Sequence, residues 1–166
     1  MNTDILRSAA GAVWGITVLD VASGEVLAQH DPHTQLSTAS VGKILLLLEL
    51  ADRLAAGLLD PGQPIDRFAA APVADSGLWQ HLTVRELPVA DAAVLIGAVS
   101  DNLATNLLLD LVGLDAVRRW PARLGLTATA LHDQVRDTRG LFDPPALSTG
   151  TAAELAGLLR RLYADD

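Results

Sequence analysis

From Val41 to Ala56 the sequence carries a helix-forming run that is apolar on nearly every side, and Gly57 closes it. A helix of that kind cannot rest on a surface. It has to lie at the centre of a packed body, so the rest of the chain must supply elements that cover it from several directions. The chain has 166 residues, half of them apolar, which is enough for one core around such a helix.

What precedes and follows the run is consistent with that demand. Val13 to Val21 alternates loosely and is rich in β-branched residues. Ala22-Ser23-Gly24-Glu25 reads as a turn, and Val26 to Gln29 as a second strand, giving an antiparallel hairpin. His30 to Thr38 reads as loop. Leu58 to Leu82, punctuated by Pro61-Gly62, Pro64, Pro72 and Gly77, reads as mostly irregular. Pro88 suits the first position of a helix to about Val99. Asn102 suits the cap of a helix through Leu111, closed by Gly113. Asp115 suits the cap of another ending at Gly125, with Pro121 predicting a kink or an early end. Leu126 to Leu147 lacks a period and reads as a long loop. Thr151-Ala-Ala-Glu154 is a capping box opening a last helix to about Leu162. The expected fold class is α/β, of the α+β kind. A hairpin at 1–36 joins a helical region at 37–166 in one domain, and two strands alone leave the antiparallel sheet incomplete.

A net charge of −8 argues against nucleic acid or an anionic membrane as a partner. No segment is long enough to span a bilayer, since Glu49 interrupts the longest apolar run, Ile44 to Leu48. The stretch from Ala9 to Leu19 behind Arg7 is signal-like, but Asp4 spoils its charged region and it reads better as a strand. The chain as given is therefore expected in the cytoplasm. There is no cysteine, hence no disulfide framework and no thiol chemistry. His30 and His33 lie close in a loop without a third ligand at zinc spacing, so neither a metal nor another cofactor is expected.

Of twelve basic residues, eleven are arginine and one, Lys43, is lysine. It stands in the first turn of the apolar helix, three residues after Ser40. An amine can lose its proton at accessible pH and a guanidinium cannot. Side chains three apart share a helical face, so a desolvated amine there can take the serine proton, and the helix N-terminus favours charge developing on the serine oxygen. The plain alternative is a serine near a helix start beside a lysine whose stem packs and whose head reaches water. Ser100-Asp101-Asn102 then falls between two expected helices. It can serve as a helix cap, or project side chains into a cleft.

Together, Ser40-Val-Gly-Lys43 and Ser100-Asp-Asn102 have the form of the S-x-x-K and S-D-N elements of class A β-lactamases and penicillin-binding proteins. Leu36 to Lys43 resembles their nucleophile segment, Ser100 to Leu109 their S-D-N helix, Thr151 to Leu159 the helix after their Ω-loop, and Trp14 to Gln29 their first two strands. The resemblance implies a serine hydrolase with Ser40 as nucleophile, Lys43 as base, Ser100 as proton relay to the leaving nitrogen and Asn102 as contact for a substrate amide. Trp79, after Asp75-Ser-Gly77, falls near a family aromatic that flanks the cleft, and reads equally well as a core aromatic. The implied partner is a β-lactam-like small molecule or peptide, and the family is usually exported.

There are two departures from the family pattern. The family's Ω-loop carries a glutamate and then an asparagine that activate the deacylating water. Here Val135 falls near the first position and Arg139 near the second, and no glutamate occurs between Glu86 and Glu154. Asp133 and Asp137 are the nearby carboxylates, and they are expected to pair with Arg136 or Arg139. An acyl-enzyme that forms but hardly turns over follows. The chain also lacks the K-T-G element of the family's C-terminal strand, which supplies one of two oxyanion donors. Loss of a donor costs on the order of 100- to 1000-fold in rate. Three readings stand: an acyl-serine hydrolase, a non-catalytic binding scaffold, and a catalyst whose remaining strands come from another chain; the expected protein partner is a second copy, in a homodimer, or a complementing C-terminal chain.

Overall fold

The computed structural model describes residues 11–164. The start of the signal-like stretch, Ala9 and Ala10, lies outside the described residues. Ile16–Leu19 (β1) and Val26–His30 (β2) form the expected antiparallel hairpin, with Ile16 opposite His30 and an irregularity at Val18/Leu19. Asp20 shapes the turn by accepting from the Ser23 N–H and hydroxyl.

The apolar run is the central helix, Lys43–Ala55 (α1), entered through one tight 3-10 turn at Ala39–Gly42. Three helical elements cover it: Val89–Val99 (α2), Asn102–Val112 (α3), and the short pair Leu114–Val117 (α4) and Trp120–Leu124 (α5). The core is drawn from all of them. Leu45, Leu46 and Leu50 meet Val89, Ala92 and Ile96 of α2, Leu103, Ala104, Leu107 and Leu108 of α3, and Val117 of α4. One polar staple crosses this interior: the Glu49 carboxylate accepts from Arg53 Nε at 2.7 Å and from Trp120 Nε1 at 2.8 Å. The break predicted at Pro121 is real, because Pro121 opens α5 and its ring cannot extend α4.

Residues 36–164 hold more strand than the sequence suggests. Leu36–Ser37 (β3), Ala130–Leu131 (β6) and Ser148–Gly150 (β7) form a small sheet in the order β3-β7-β6. Pro64–Asp66 (β4) and Glu86–Pro88 (β5) pair antiparallel, Ile65 opposite Leu87. Each strand has two or three residues, too few for a period to declare itself, and prolines stand at the outer ends of the β4–β5 pair. The segment read as irregular from Leu58 to Leu82 thus contains one strand of that pair, and the long loop from Leu126 contains β6. Ala152–Ala164 (α6) closes the described chain and packs on β1. Its Glu154 accepts from the Thr127 and Ala128 N–H groups. Thr151 Oγ1 accepts from the Glu154 N–H, as the capping box predicts.

Candidate active site

Ser40 lies in the 3-10 turn that leads into α1, and Lys43 is the first residue of the helix proper. The turn is held in a strained shape: Ala39 has φ of +45°, which a residue with a Cβ rarely adopts. Ser148 of β7 holds it there. Fully buried, its hydroxyl donates to the Ala39 carbonyl at 2.7 Å and lies 2.7 Å from the Thr38 hydroxyl. Its carbonyl accepts from the Thr38 N–H. Gly42 makes this approach possible, since a Cβ there would stand 2.3 Å from that of Ser148. Ser148 could not have been found from the sequence, because only the fold brings it across from the far end of the long loop.

Lys43 is 2% exposed. Its Nζ donates to the Ser100 carbonyl at 2.7 Å, to Ser100 Oγ at 3.0 Å and to Asn102 Oδ1 at 2.7 Å. Burial lowers its pKa from 10.5 to about 8, against the opposing pull of the nearby Asp101 carboxylate. Among the described hydrogen bonds, the amine thus reaches Ser100 and Asn102 rather than Ser40. The structure brings together S-x-x-K and S-D-N, as the sequence reading expected.

Ser100 ends α2 in the left-handed region, φ +56°, which turns its side chain back toward Lys43. The cap of α3 is Asp101 rather than Asn102. Asp101 Oδ1 accepts from the Ala104 N–H, and Oδ2 accepts from the Leu78 and Trp79 N–H groups at 2.7 and 2.9 Å. This buried carboxylate ties the Asp75–Trp79 loop to the helix. The loop passes so close that a Cβ on Gly77 would sit 2.7 Å from the Asp101 carboxyl. Asn102 is thereby freed from capping. It accepts from Lys43 and donates through Nδ2 to the Ala74 carbonyl at 2.7 Å.

Trp79 is a core residue. It is 0% exposed, its Nε1 donates to the Val84 carbonyl, and it lines neither of the clefts beside Ser40. The expectation that it flanks the cleft is corrected by the Asp101 tether, which pulls its backbone inward.

Two clefts adjoin Ser40. One, of about 330 Å³, is lined by Ser40, Asn102, Asp75, Val135, Arg136 and Arg139 among others. The second, of about 390 Å³, is lined by Ser40, Lys43, Ser100 and the apolar Ile44, Leu47 and Ile96. In the first cleft Val135 is fixed by Asn106, which accepts from its N–H and donates to its carbonyl. Asp133 accepts from Arg136 Nε and Arg139 Nη1, both at 2.7 Å, as expected. Burial raises its pKa, but those two arginines and the Gln134 N–H outweigh that and hold it below the usual carboxylate range. Asp137 departs from expectation: it accepts from the Ala74 N–H rather than meeting an arginine. Among the described residues no group of three His, Cys, Asp or Glu side chains is placed to hold a metal ion, and no helix is long and apolar enough to cross a membrane.

The fold is shared with known structures. A β-lactamase from Sphaerobacter thermophilus DSM 20745 is 32% identical with a TM-score of 0.78, over 90% of this chain and 56% of its own. A β-lactamase from Xanthomonas campestris pv. campestris str. ATCC 33913 is 25% identical with a TM-score of 0.77, over 96% of this chain and 59% of its own. PBP-A, at 20% identity and a TM-score of 0.74, shares the fold over 92% of this chain and 56% of its own. The chain therefore spans a little under three-fifths of the length of these relatives. The family model described as the beta-lactamase enzyme family matches residues 2–166, and with the mixed helix-and-sheet fold in common the chain belongs to that family.

Proposed function

We propose that this chain carries the acylating centre of a serine hydrolase that opens β-lactam rings or related amide and ester bonds. The observation that carries the reading is the buried Lys43 amine, bridged to Ser100 Oγ and Asn102 Oδ1, with a pKa of about 8. An amine so poised holds a neutral fraction near neutral pH and can act as a base. Ser40 Oγ attacks the carbonyl carbon while its proton passes to Lys43, which lines the same cleft and turns toward Ser40 from its hydrogen bonds to Ser100 and Asn102. The Ser40 N–H and the N-terminus of α1 favour the oxyanion. Collapse breaks the carbon–nitrogen bond. The proton returns through Ser100 Oγ, 3.0 Å from Lys43, to the leaving nitrogen. The acyl group stays on Ser40.

Deacylation is slow in this reading. It needs a base beside the ester, and none of the long-loop residues lining the cleft shared by Ser40 and Asn102 is one, while Asp75 on the other wall is exposed to water. Val135 is apolar, Asp133 is ionised and committed to two arginines, and Asp137 is engaged by the Ala74 N–H. A scaffold that binds without reacting leaves the desolvation of Lys43 unexplained, since burying an amine costs stability. The test is incubation with a chromogenic cephalosporin. About one equivalent of product, followed by a stall, supports the reading, as expected when acylation outruns deacylation. Sustained turnover overturns the slow step, and no product from the wild-type chain overturns the acylating role.

The polypeptide also self-associates or takes up a complementary chain in this reading. What supports it is apolar surface on the hairpin, where Val18, Val26 and Leu27 are exposed.

A further inference from the structure

We propose that Arg139 selects substrates whose acyl portion carries a carboxylate close to the amide carbonyl. The inference rests on the acylating role of Ser40. It begins from the two clefts that meet at that serine. The apolar cleft holds Lys43 and Ser100, the groups that hand a proton to the leaving nitrogen, so it faces the departing part of the substrate. The other holds Asn102, the amide contact, and faces the acyl part that remains on Ser40. Arg139 lines this second cleft, together with Arg136 and Val135.

The Arg139 side chain is 22% exposed and is already fixed in place. Its Nη1 donates to Asp133 Oδ2 at 2.7 Å and to the Pro144 carbonyl at 2.9 Å. Among the described residues it makes its hydrogen bonds through Nη1 alone, which leaves Nε and Nη2 to offer. A guanidinium held in this way has given up its rotamer freedom before any ligand arrives, and its planar fork matches a carboxylate. Asp133 is shared between Arg139 and Arg136, and Asp143 Oδ1 also stands 3.7 Å from Arg136 Nη2, so what Arg139 has to offer is its unused donors rather than a surplus of charge. Asp75 is the acidic residue lining the cleft, and it is exposed, so water screens it more than the arginine. A chain with a net charge of −8 repels anions in general. A fixed guanidinium with free donors next to Ser40 therefore singles out an anion that is bound locally.

Carbenicillin and benzylpenicillin test this, because they share a leaving ring and differ by one carboxylate on the acyl side chain. The rate of acyl-adduct formation on the full chain is followed by intact mass. One charge-assisted hydrogen bond predicts that carbenicillin reacts about five- to tenfold faster. In Arg139→Gln the ratio of the two rates falls to about one, and in Arg139→Lys, which keeps the charge but not the fork, it is intermediate. A wild-type ratio at or below one, or a ratio that survives Arg139→Gln, overturns the proposal. If neither penicillin reacts, the acylating role has failed, and a binding measurement decides the selectivity separately. Phenylmalonate monoamide and phenylacetamide, which differ by the one carboxylate, are titrated while the Arg139 Nε–H resonance is followed. A shift with the monoamide alone upholds the anion site, and an equal response or none overturns it.

Discussion

Lys43 concentrates most of the proposed chemistry into one side chain. Its pKa of about 8 has two consequences of definite sign. The neutral, base-competent fraction grows as pH rises through 8, so acylation of Ser40 should climb between pH 6.5 and 9 and then level off. A rate that is flat across that range, measured by stopped-flow with a fluorescent penicillin, would remove the amine as the base. The folded-state pKa also lies below that of free lysine, so the unfolded chain binds more protons between about 8 and 10.5. The lysine therefore costs stability below pH 8, and that cost is relieved as pH rises toward 10.5. Lys43→Met should lose both the acylation and this pH slope in chemical denaturation. Lys43→Arg is a poorer control, because a bulkier, permanently charged group in a site 2% exposed invites overpacking of about 1–3 kcal/mol. Val135 belongs to the same scale. Asn106 pins its backbone and its side chain lines the cleft with Ser40, so Val135→Glu should place a carboxylate beside the acyl ester. Turnover of a chromogenic cephalosporin should rise by about 10- to 100-fold through general base catalysis. An unchanged rate would mean that the carboxylate is drawn away, with Arg139 and Arg136 the nearest claimants.

At the scale of elements, the nucleophile turn and β7 act as a unit. Gly42→Ala should destabilise by about 1–3 kcal/mol, because the new Cβ has nowhere to go but into Ser148. Gly42→Ala with Ser148→Gly should recover much of that loss, and strict additivity in a denaturation cycle would show that the two do not share the space. This pair marks the limit of what the sequence made legible. The central helix, the hairpin and the capping box at Thr151 were all readable, because each rests on local pattern or local hydrogen bonding. Ser40-Val-Gly-Lys43 and Ser100-Asp-Asn102 stood out as short motifs whose roles come from the family resemblance, and the fold sets Lys43 against Ser100 and Asn102. Ser148 was not readable, since its role exists only when β7 lies against β3. The true cap, Asp101, was displaced by one residue in the reading. Its carboxylate serves the loop before α2 as well as its own helix, and that tether is what buries Trp79. Strands of two or three residues escape any period-based reading.

Taken whole, the molecule is a helical body with Ser40 at the seam between α1, the S-D-N turn and the long loop. Apolar side chains remain exposed on the hairpin and on α2, including Val18, Leu27 and Val94. Light scattering coupled to size exclusion should therefore find the 166-residue polypeptide in species larger than a monomer. A cooperatively melting monomer would show that these surfaces are tolerated in water. The account as a whole stands on Ser40 being the acylated residue. The direct measurement is to incubate the wild-type chain and Ser40→Ala with benzylpenicillin, then map the adduct by peptide mass. One penicilloyl group on Ser40 in the wild type, and none in the variant, is the predicted result. Label on any other residue, label that persists in Ser40→Ala, or a wild-type chain that remains unmodified would contradict it.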